Sequence, residues 1–286
     1  MDAGSPSRTA ILTAMHRAAH FLIDDEPKIL ADSFARAFAG FASDVELLAA
    51  VESHPFPDFV AHRTFFALRN RYAEDELAAA AASGTTQYVI LGAGLDSFAY
   101  RRPDALRDLQ IFEVDHPTSQ AWKRARLAEI SIEAPPHLHY VPIDFERETL
   151  TASLDGGGVD RKARAFFSWL GVTQYLTRDA VLKTLREIAS ATVSGSEIVA
   201  TFVVPASMLD RAESELLAAI TARTASVGEP WLSFYEPSEM IAFMEQAGFV
   251  NVSCFGRDDA AGTYLAGRRD GLRIPPYSWL VKGWVG

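Results

Sequence analysis

The sequence predicts an α/β fold: a Rossmann-like, seven-stranded, mostly parallel sheet with one antiparallel strand, preceded by an N-terminal helical cap. Three observations predict it. From residue 87 onward, short apolar runs without helical period alternate with stretches of helical period. Glycine turns and acidic residues stand at the ends of the first runs. The last two runs, 250–255 and 263–266, have only a short turn region between them, too little for a crossover helix, which predicts an antiparallel pair.

Each element has its own warrant. Residues 1–8 (MDAGSPSR) are small and polar and read as a frayed end. Between 9 and 23, Ile11, Leu12, Met15, Ala18, Ala19 and Leu22 share one helix face. Asp24-Asp25-Glu26-Pro27 is a helix start and predicts a second helix through Phe38 and Phe41. A further turn is expected at 46–51, and a long helix at 59–82 that Ser83-Gly84 stops. Strands are expected at 88–91, 111–114, 137–143, 164–169, 196–204, 250–255 and 263–266. Helices are expected at 118–131, 146–153, 179–189, 208–224 and 236–247. No linker composition separates 1–84 from 85–286, so one domain is expected. Its cap would cover the carboxyl ends of the strands, where ligands sit in such sheets.

Composition excludes several classes. With 37 acids against 27 Lys plus Arg, the chain of 286 residues carries a formal charge of −10. That argues against nucleic acid as main partner, because phosphate contacts need clustered positive charge. Cys254 is the only cysteine, so no intrachain disulfide can form. His16 and His20 are four apart on the first helix but lack a third ligand, so no metal site is read there. There is no basic stretch followed by an apolar one at the start, and no apolar run of about 18 residues. A cytoplasmic protein with no membrane partner is the expectation.

The chemistry concentrates in 87–115. QYVILGAGLDSFAYRR (87–102) is a buried strand entering a glycine turn, and QIFEVDHP (110–117) is the next strand, ending in Asp115, 21 residues after Gly94. Gly92 and Gly94 let a backbone approach a ligand, and an acid at the tip of the second strand accepts ribose hydroxyls. In the dinucleotide pattern G-x-G-x-x-G the third glycine is here Ser97, and Asp96 sits in the turn, where it would repel a pyrophosphate. The same acid can face an amino-acid ammonium group. The expected cofactor is therefore S-adenosylmethionine, with a helix-capping turn as the structural alternative.

Other candidates lie outside that stretch. Asp144-Phe145, at the end of the third strand, can take the adenine amino group and ring, or be a helix cap with a core phenylalanine. In FFSWLGVTQYLT (166–177), Trp169, Thr173, Gln174 and Tyr175 are candidates to line the transfer site. Arg63, on the long helix, can reach a carboxylate if the cap folds back, or lie on a solvated face. Trp231, Phe234 and Tyr235 in GEPWLSFYEP (228–237) wall an apolar pocket or simply pack together.

FVAHRTFFALRNR (59–71), LGAGLDSFAYR followed by EVDHP, Asp144, WLGVTQYLT (169–177) and GEPWLSF (228–234) together resemble the leucine carboxyl methyltransferase family, in particular its bacterial branch of class I S-adenosylmethionine-dependent O-methyltransferases. The resemblance covers most of the chain. It implies that Arg63 holds the cofactor carboxylate, that Gly92 and Gly94 bracket the methionine part beside Asp96, and that Asp115 binds the ribose with Glu113 close behind. It also implies that Asp144 and Phe145 contact the adenine. Many members carry Glu-Gly after the fourth strand, where this chain has Leu170-Gly171, which weakens any transfer of protein-tail carboxyl methylation. Phe145 stands where many relatives have Leu, and the site stays apolar.

The function expected is O-methyl transfer to a small-molecule acceptor, of the natural-product tailoring kind. A carboxylate is the favoured acceptor because it is ionised at pH 7 and needs no base. A phenol or enol would need one, with His62, His116 and Tyr175 as candidates and Tyr175, Gln174 and Trp231 as acceptor-site residues. Three readings compete: methylation of a protein or peptide C-terminal carboxylate, a non-catalytic adenosine-binding module, and an NAD-dependent dehydrogenase, which Ser97 and Asp96 disfavour. A homo-oligomer is left open.

Overall fold

The computed structural model describes residues 8–53, 56–144 and 147–286. The chain begins with α1 (Arg8–Ile23), α2 (Ala35–Phe38), α3 (Asp44–Ser53) and α4 (Phe59–Ala82). The α/β part follows as β1 (Gln87–Leu91), α5 (Phe98–Arg101), β2 (Gln110–Asp115), α6 (Pro117–Glu129), β3 (Leu138–Pro142), α7 (Leu150–Gly156), β4 (Ala165–Trp169) and α8 (Arg178–Ala191). It closes with β5 (Glu197–Val203), α9 (Arg211–Ser226), α10 (Pro237–Ala247), β6 (Phe249–Phe255), α11 (Arg257–Thr263) and β7 (Ser278–Val285).

The strands form one seven-stranded sheet in the order β3-β2-β1-β4-β5-β7-β6. Strands β1 to β5 pair in parallel, and β7 runs antiparallel to both β5 and β6, so one strand is reversed. The order turns outward in opposite directions from β1 and β4. Their carboxyl ends therefore open a crevice, which places any ligand of this fold beside the turns after β1 and β4. Both strands are buried along their whole length because helices cover both faces, which is why QYVIL and AFFSW lack the alternation of a half-exposed strand. Phe166 and Phe167 are fully buried on opposite faces, each contributing roughly 2 kcal/mol of transfer free energy.

Three expectations fail. The strand expected at 263–266 is instead the last residue of α11 and the turn that follows it: Gly256 N–H donates to the Asp259 carboxylate, and two acids in the first turn suit a helix N-terminus. The last strand comes from 278–285, whose alternating burial the short apolar run had overshadowed. The helix expected over 27–41 shrinks to α2. Its first half is irregular and hangs on cap side chains: His20 Nε2 accepts from Leu30 N–H at 3.3 Å, and the Asp32 carboxylate accepts from Ala35 N–H at 3.0 Å. These replace the helical ladder for those backbone groups. The helix expected at 146–153 begins instead at Leu150, behind Thr149, whose hydroxyl caps it.

The cap is tied to the core by buried charge. Arg17 donates to Asp32 at 2.9 Å and to the Leu95 carbonyl, just past the glycine turn, at 2.7 Å. Arg63 donates to Asp24, whose other partner is His20 at 2.6 Å. Near the C-terminus, Arg268 donates to the Pro27 and Asp25 carbonyls at 2.6 and 2.9 Å. Among the described residues no helix is long and apolar enough to cross a membrane.

Candidate functional site

A cavity of about 840 Å³ lies at the carboxyl ends of β1 and β4, roofed by α1, α4 and the 228–232 segment. Its floor is the turn after β1. Gly92 has φ +65° and Gly94 φ +48°, left-handed values that L side chains rarely adopt. A Cβ on Gly92 would stand 2.6 Å from Val172 Cγ2, so this glycine is also required by the close approach of the β4 turn. Gly92 N–H donates to the Val114 carbonyl at 2.8 Å, holding the turn against β2.

Three acids border that floor. Asp115 accepts Gly94 N–H on one carboxylate oxygen at 2.5 Å and His116 N–H on the other at 2.6 Å. Burial pushes its pKa above the usual carboxylate value, against the pull of those two amides. Asp96 accepts from Asn70 Nδ2 at 3.0 Å and from Phe98 N–H at 2.8 Å, which aims the turn. Asp144 lines the cavity beside β3, with Arg147 3.5 Å away. Phe145 lies outside the described residues.

Arg63 is not at the cavity. Its guanidinium grips Asp24 and lies over the Phe59 ring, 5.2 Å from its centroid. The arginine that lines the cavity is Arg69, six residues on, which places it about 240° around the same helix. Arg69 is 8% exposed, and its Nε has no hydrogen-bond partner. Burial lowers its pKa to about 9, and the nearby Arg17 cation adds to that. Gly171 makes room for it: a Cβ there would stand 2.5 Å from Arg69 Nη1. Arg63, Arg69 and Arg71 all lie in FVAHRTFFALRNR, and only the helix facing decides among them. Arg17 also lines the cavity and was likewise not foreseen.

Glu113 is not at the cavity either. It is 1% exposed and pairs with Lys123 at 2.7 Å, and Lys123 also donates to the Asp96 carbonyl at 2.7 Å. Burial pushes Glu113 up to about 7, with Lys123 opposing. The pair buttresses the glycine turn from behind.

Of the three acceptor-site candidates, only Tyr175 lines the cavity. Gln174 uses its backbone carbonyl to accept Leu232 N–H at 2.6 Å, and so fastens the 228–232 segment to the β4 turn. Trp231 faces away, with its ring 6.3 Å from that of Tyr277, while its neighbours Pro230 and Leu232 face in. In an extended segment successive side chains take opposite sides. Phe234 packs beside Trp231, and Tyr235 is fully buried under Arg178, 4.5 Å from its ring. Trp169 is core and Thr173 spends its hydroxyl on the Thr201 carbonyl. His62 has both ring nitrogens engaged, by the Asp58 carbonyl and the Tyr277 hydroxyl, so it offers no base. His16 is ringed by Phe56, Phe59 and Phe66, with a pKa lowered to about 3 by burial. Among the described residues no group of three or more His, Cys, Asp or Glu could hold a metal ion.

The sequence model of the leucine carboxyl methyltransferase family matches residues 10–189, from α1 through the glycine turn to α8. The chain belongs to the leucine carboxyl methyltransferase family. It is 34% identical over 190 residues to a Bacillus subtilis (strain 168) protein named "Putative S-adenosyl-L-methionine-dependent methyltransferase YktD", covering 66% of this chain and 62% of that one. A protein of the same printed class from Parafrankia sp. (strain EAN1pec) is 31% identical over 67% of this chain and 61% of its own. The match thus spans about three fifths of the length of these relatives. The fold is that of a crystal structure from Thermobifida fusca YX titled as a "putative methyltransferase", with TM-score 0.59 at 19% identity over 99% of this chain and 96% of that one. A DUF574 family protein from Streptomyces avermitilis shares it with TM-score 0.57 at 14% identity over 95% and 97%.

Proposed function

We propose that this member of the family is an S-adenosylmethionine-dependent O-methyltransferase acting on a small-molecule acceptor. The observation that carries the reading is Arg69: a buried guanidinium without a carboxylate partner among the described residues, facing a cavity at the switch point of the sheet. A buried cation is costly unless something pairs with it. The cofactor's carboxylate answers that need at the spot where Gly171 gives the guanidinium room.

The remaining donors and acceptors fit the same molecule. Gly92 and Gly94 present a surface free of Cβ atoms to the methionine part. Asp96, one residue past the turn's tip, is placed for the ammonium group. Asp115 has both oxygens bonded to backbone amides, yet each keeps a lone pair for a ribose hydroxyl. Asp144 serves the adenine amino group. A dinucleotide would bring its pyrophosphate against Asp96.

S-adenosylmethionine supplies a methyl group on a sulfonium. What the chain contributes is alignment and exclusion of water: the cap closes over the turn, Arg17 and Arg69 fix cap to floor and cofactor to cap, and Tyr175, Leu176 and Leu232 give the acceptor side an apolar wall. Thr9 on α1 donates to Glu229 across the mouth. That contact and the apolar wall beside it support a small acceptor. Calorimetry tests the reading: one equivalent of S-adenosylhomocysteine is expected to bind and NAD is not. Binding of NAD without S-adenosylhomocysteine sinks it.

A further inference from the structure

Lys123, on α6, is the one buried lysine among the described residues. A lysine is almost never fully buried unless it is paired. It lies behind the glycine turn and not at the cavity. Its ammonium donates to Glu113 Oε2 on β2 at 2.7 Å and to the main-chain carbonyl of Asp96 at 2.7 Å. It also stands 5.7 Å from the ring centroid of Phe38 on α2 and 5.9 Å from that of Tyr100 on α5. Stability does not explain the ion pair. Glu113 Oε1 has no hydrogen-bond partner, and burial pushes the carboxyl up to about 7. An apolar pair of like volume is often as stable as a buried ion pair, or more so. What an apolar pair could not supply is a donor for the Asp96 carbonyl.

From this we infer that Lys123 is a positioning residue for the cofactor: it holds the Asp96 peptide so that the Asp96 carboxylate meets the ammonium group of the methionine part. The inference rests on the proposed function, which places that ammonium beside Asp96. Every polar group of Asp96 is engaged. Its N–H donates to the Ala93 carbonyl at 2.8 Å. Its carboxylate accepts from Asn70 Nδ2 at 3.0 Å and from Phe98 N–H at 2.8 Å. Those bonds come from the turn itself and from α4. The bond from Lys123 alone among them ties Asp96 to α6 and, through Glu113, to β2. The neighbouring Leu95 carbonyl is held by Arg17 from the cap, so two successive carbonyls of the turn each meet a buried cation. Without the ammonium, the Asp96 carbonyl would be buried with no donor, and the peptide would turn to find one. A carboxylate that must meet a ligand within about 0.5 Å depends on such a bond behind it.

Calorimetry on the intact protein tests this with two ligands: S-adenosylhomocysteine, and methylthioadenosine, which has the sulfur but no amino-acid part. Binding of S-adenosylhomocysteine to the parent is measured first; its absence would remove the methyltransferase reading itself, and the inference with it. Lys123→Met leaves Glu113 without its cation and should lower the melting temperature. Lys123→Met combined with Glu113→Leu removes the pair without changing its net charge, and should return the melting temperature close to the parent's. In both chains S-adenosylhomocysteine should bind about tenfold more weakly, the cost of pulling the Asp96 peptide back to an orientation that leaves its carbonyl unpaired. Methylthioadenosine, which makes no contact through its missing ammonium, should lose about twofold or less. A merely structural role would weaken both ligands alike. Glu113→Gln keeps an oxygen for Lys123 and so keeps the bond to Asp96; both affinities should stay within about threefold of the parent's. Should Lys123→Met not fold, the double variant decides. The inference is overturned if the double variant binds S-adenosylhomocysteine as tightly as the parent, if it weakens both ligands equally, or if Glu113→Gln costs as much affinity as the double variant.

Discussion

The floor of the cavity and its roof are built by different means. The floor uses backbone geometry that the local chain dictates: Gly92 and Gly94 with positive φ, and Asp115 and Asp144 at the ends of neighbouring strands. Its members are joined through the sheet register. The roof uses side chains brought from α1, α4, the β4 turn and the 228–232 segment, positions as far apart as Thr9 and Glu229. The floor is therefore set once the sheet forms, whereas the roof exists only when the cap has docked. Cofactor contacts that rely on the floor should survive loosening of the cap, and those that rely on Arg69 should not.

The largest effect is expected where roof meets floor. Arg69→Met should weaken S-adenosylhomocysteine binding by about 3 kcal/mol, roughly a hundredfold, the loss typical of truncating one partner of a buried charge pair. The same change should raise the melting temperature of the ligand-free protein, because it removes a buried guanidinium whose Nε has no hydrogen-bond partner and which forms no ion pair among the described residues. Tighter binding, or a lower melting temperature with binding intact, would displace Arg69 from its role.

Asp24→Asn probes the roof alone. It strips charge from the carboxylate that Arg63 and His20 share, and should cost about 2–3 kcal/mol of stability by denaturant titration. Affinity for S-adenosylhomocysteine should fall far less than in the Arg69 variant. An equal fall would return Arg63 to the cofactor. Acid should act in the same sense. Burial would raise Asp24 and Asp32, yet His20 and Arg63 on one, Arg17 and Arg101 on the other, hold both below the ordinary 3.8. A depressed acid contributes stability above its unfolded pKa and loses it as pH falls through the folded one, so the cap should loosen below about pH 4. Glu113 has the opposite sign. Raised to about 7, it costs stability above that value and relieves it as pH falls toward 4.5. Hydrogen exchange corrected for intrinsic rates should show α1 and α4 losing protection before β1 and β2.

Much of the floor was legible in the sequence for the reason that makes it robust. A glycine turn between two apolar runs, with an acid at the tip of the second, is local information. The long helix at 59–82 was equally plain, and its bounds agree with α4. What the sequence did not reveal is which way that helix faces. Its polar and apolar residues are mixed around the circumference, because one side packs on the sheet and another on α1, so no stripe separates Arg63 from Arg69. The inward residues of 228–232 were hidden by the larger signal of Trp231, whose bulk serves packing. The last strand was missed because a short apolar run earlier in the chain mimicked it, and two acids turned that run's approach into a helix.

Gly92→Ala tests the floor as a steric device. The left-handed φ costs a Cβ-bearing residue roughly 1–2 kcal/mol, and the contact with Val172 must be relieved as well. A loss of about 2 kcal/mol in stability, recovered in part by Val172→Ala in the same chain, is expected in a double-mutant cycle. Strict additivity of the two changes would mean that the close approach of the turns is not what demands the glycine.

The smallest effect discriminates most finely between floor and roof. Asp115 holds Gly94 and His116 by their amides, so its carboxylate both shapes the turn and faces the ribose position. Asp115→Ala should weaken S-adenosylhomocysteine binding by about tenfold, near 1.4 kcal/mol, as loss of charge-assisted hydrogen bonds implies. Asp115→Asn keeps one carbonyl acceptor but must set its amide nitrogen against a backbone N–H, so it should not rescue the turn and should bind no better than the alanine variant. Adenosine alone, which lacks the methionine part that Arg69 would hold, should feel the Asp115 changes in full and the Arg69 change hardly at all. If both substitutions affect adenosine equally, the division into a ribose floor and a carboxylate roof is wrong, and the two walls act as one.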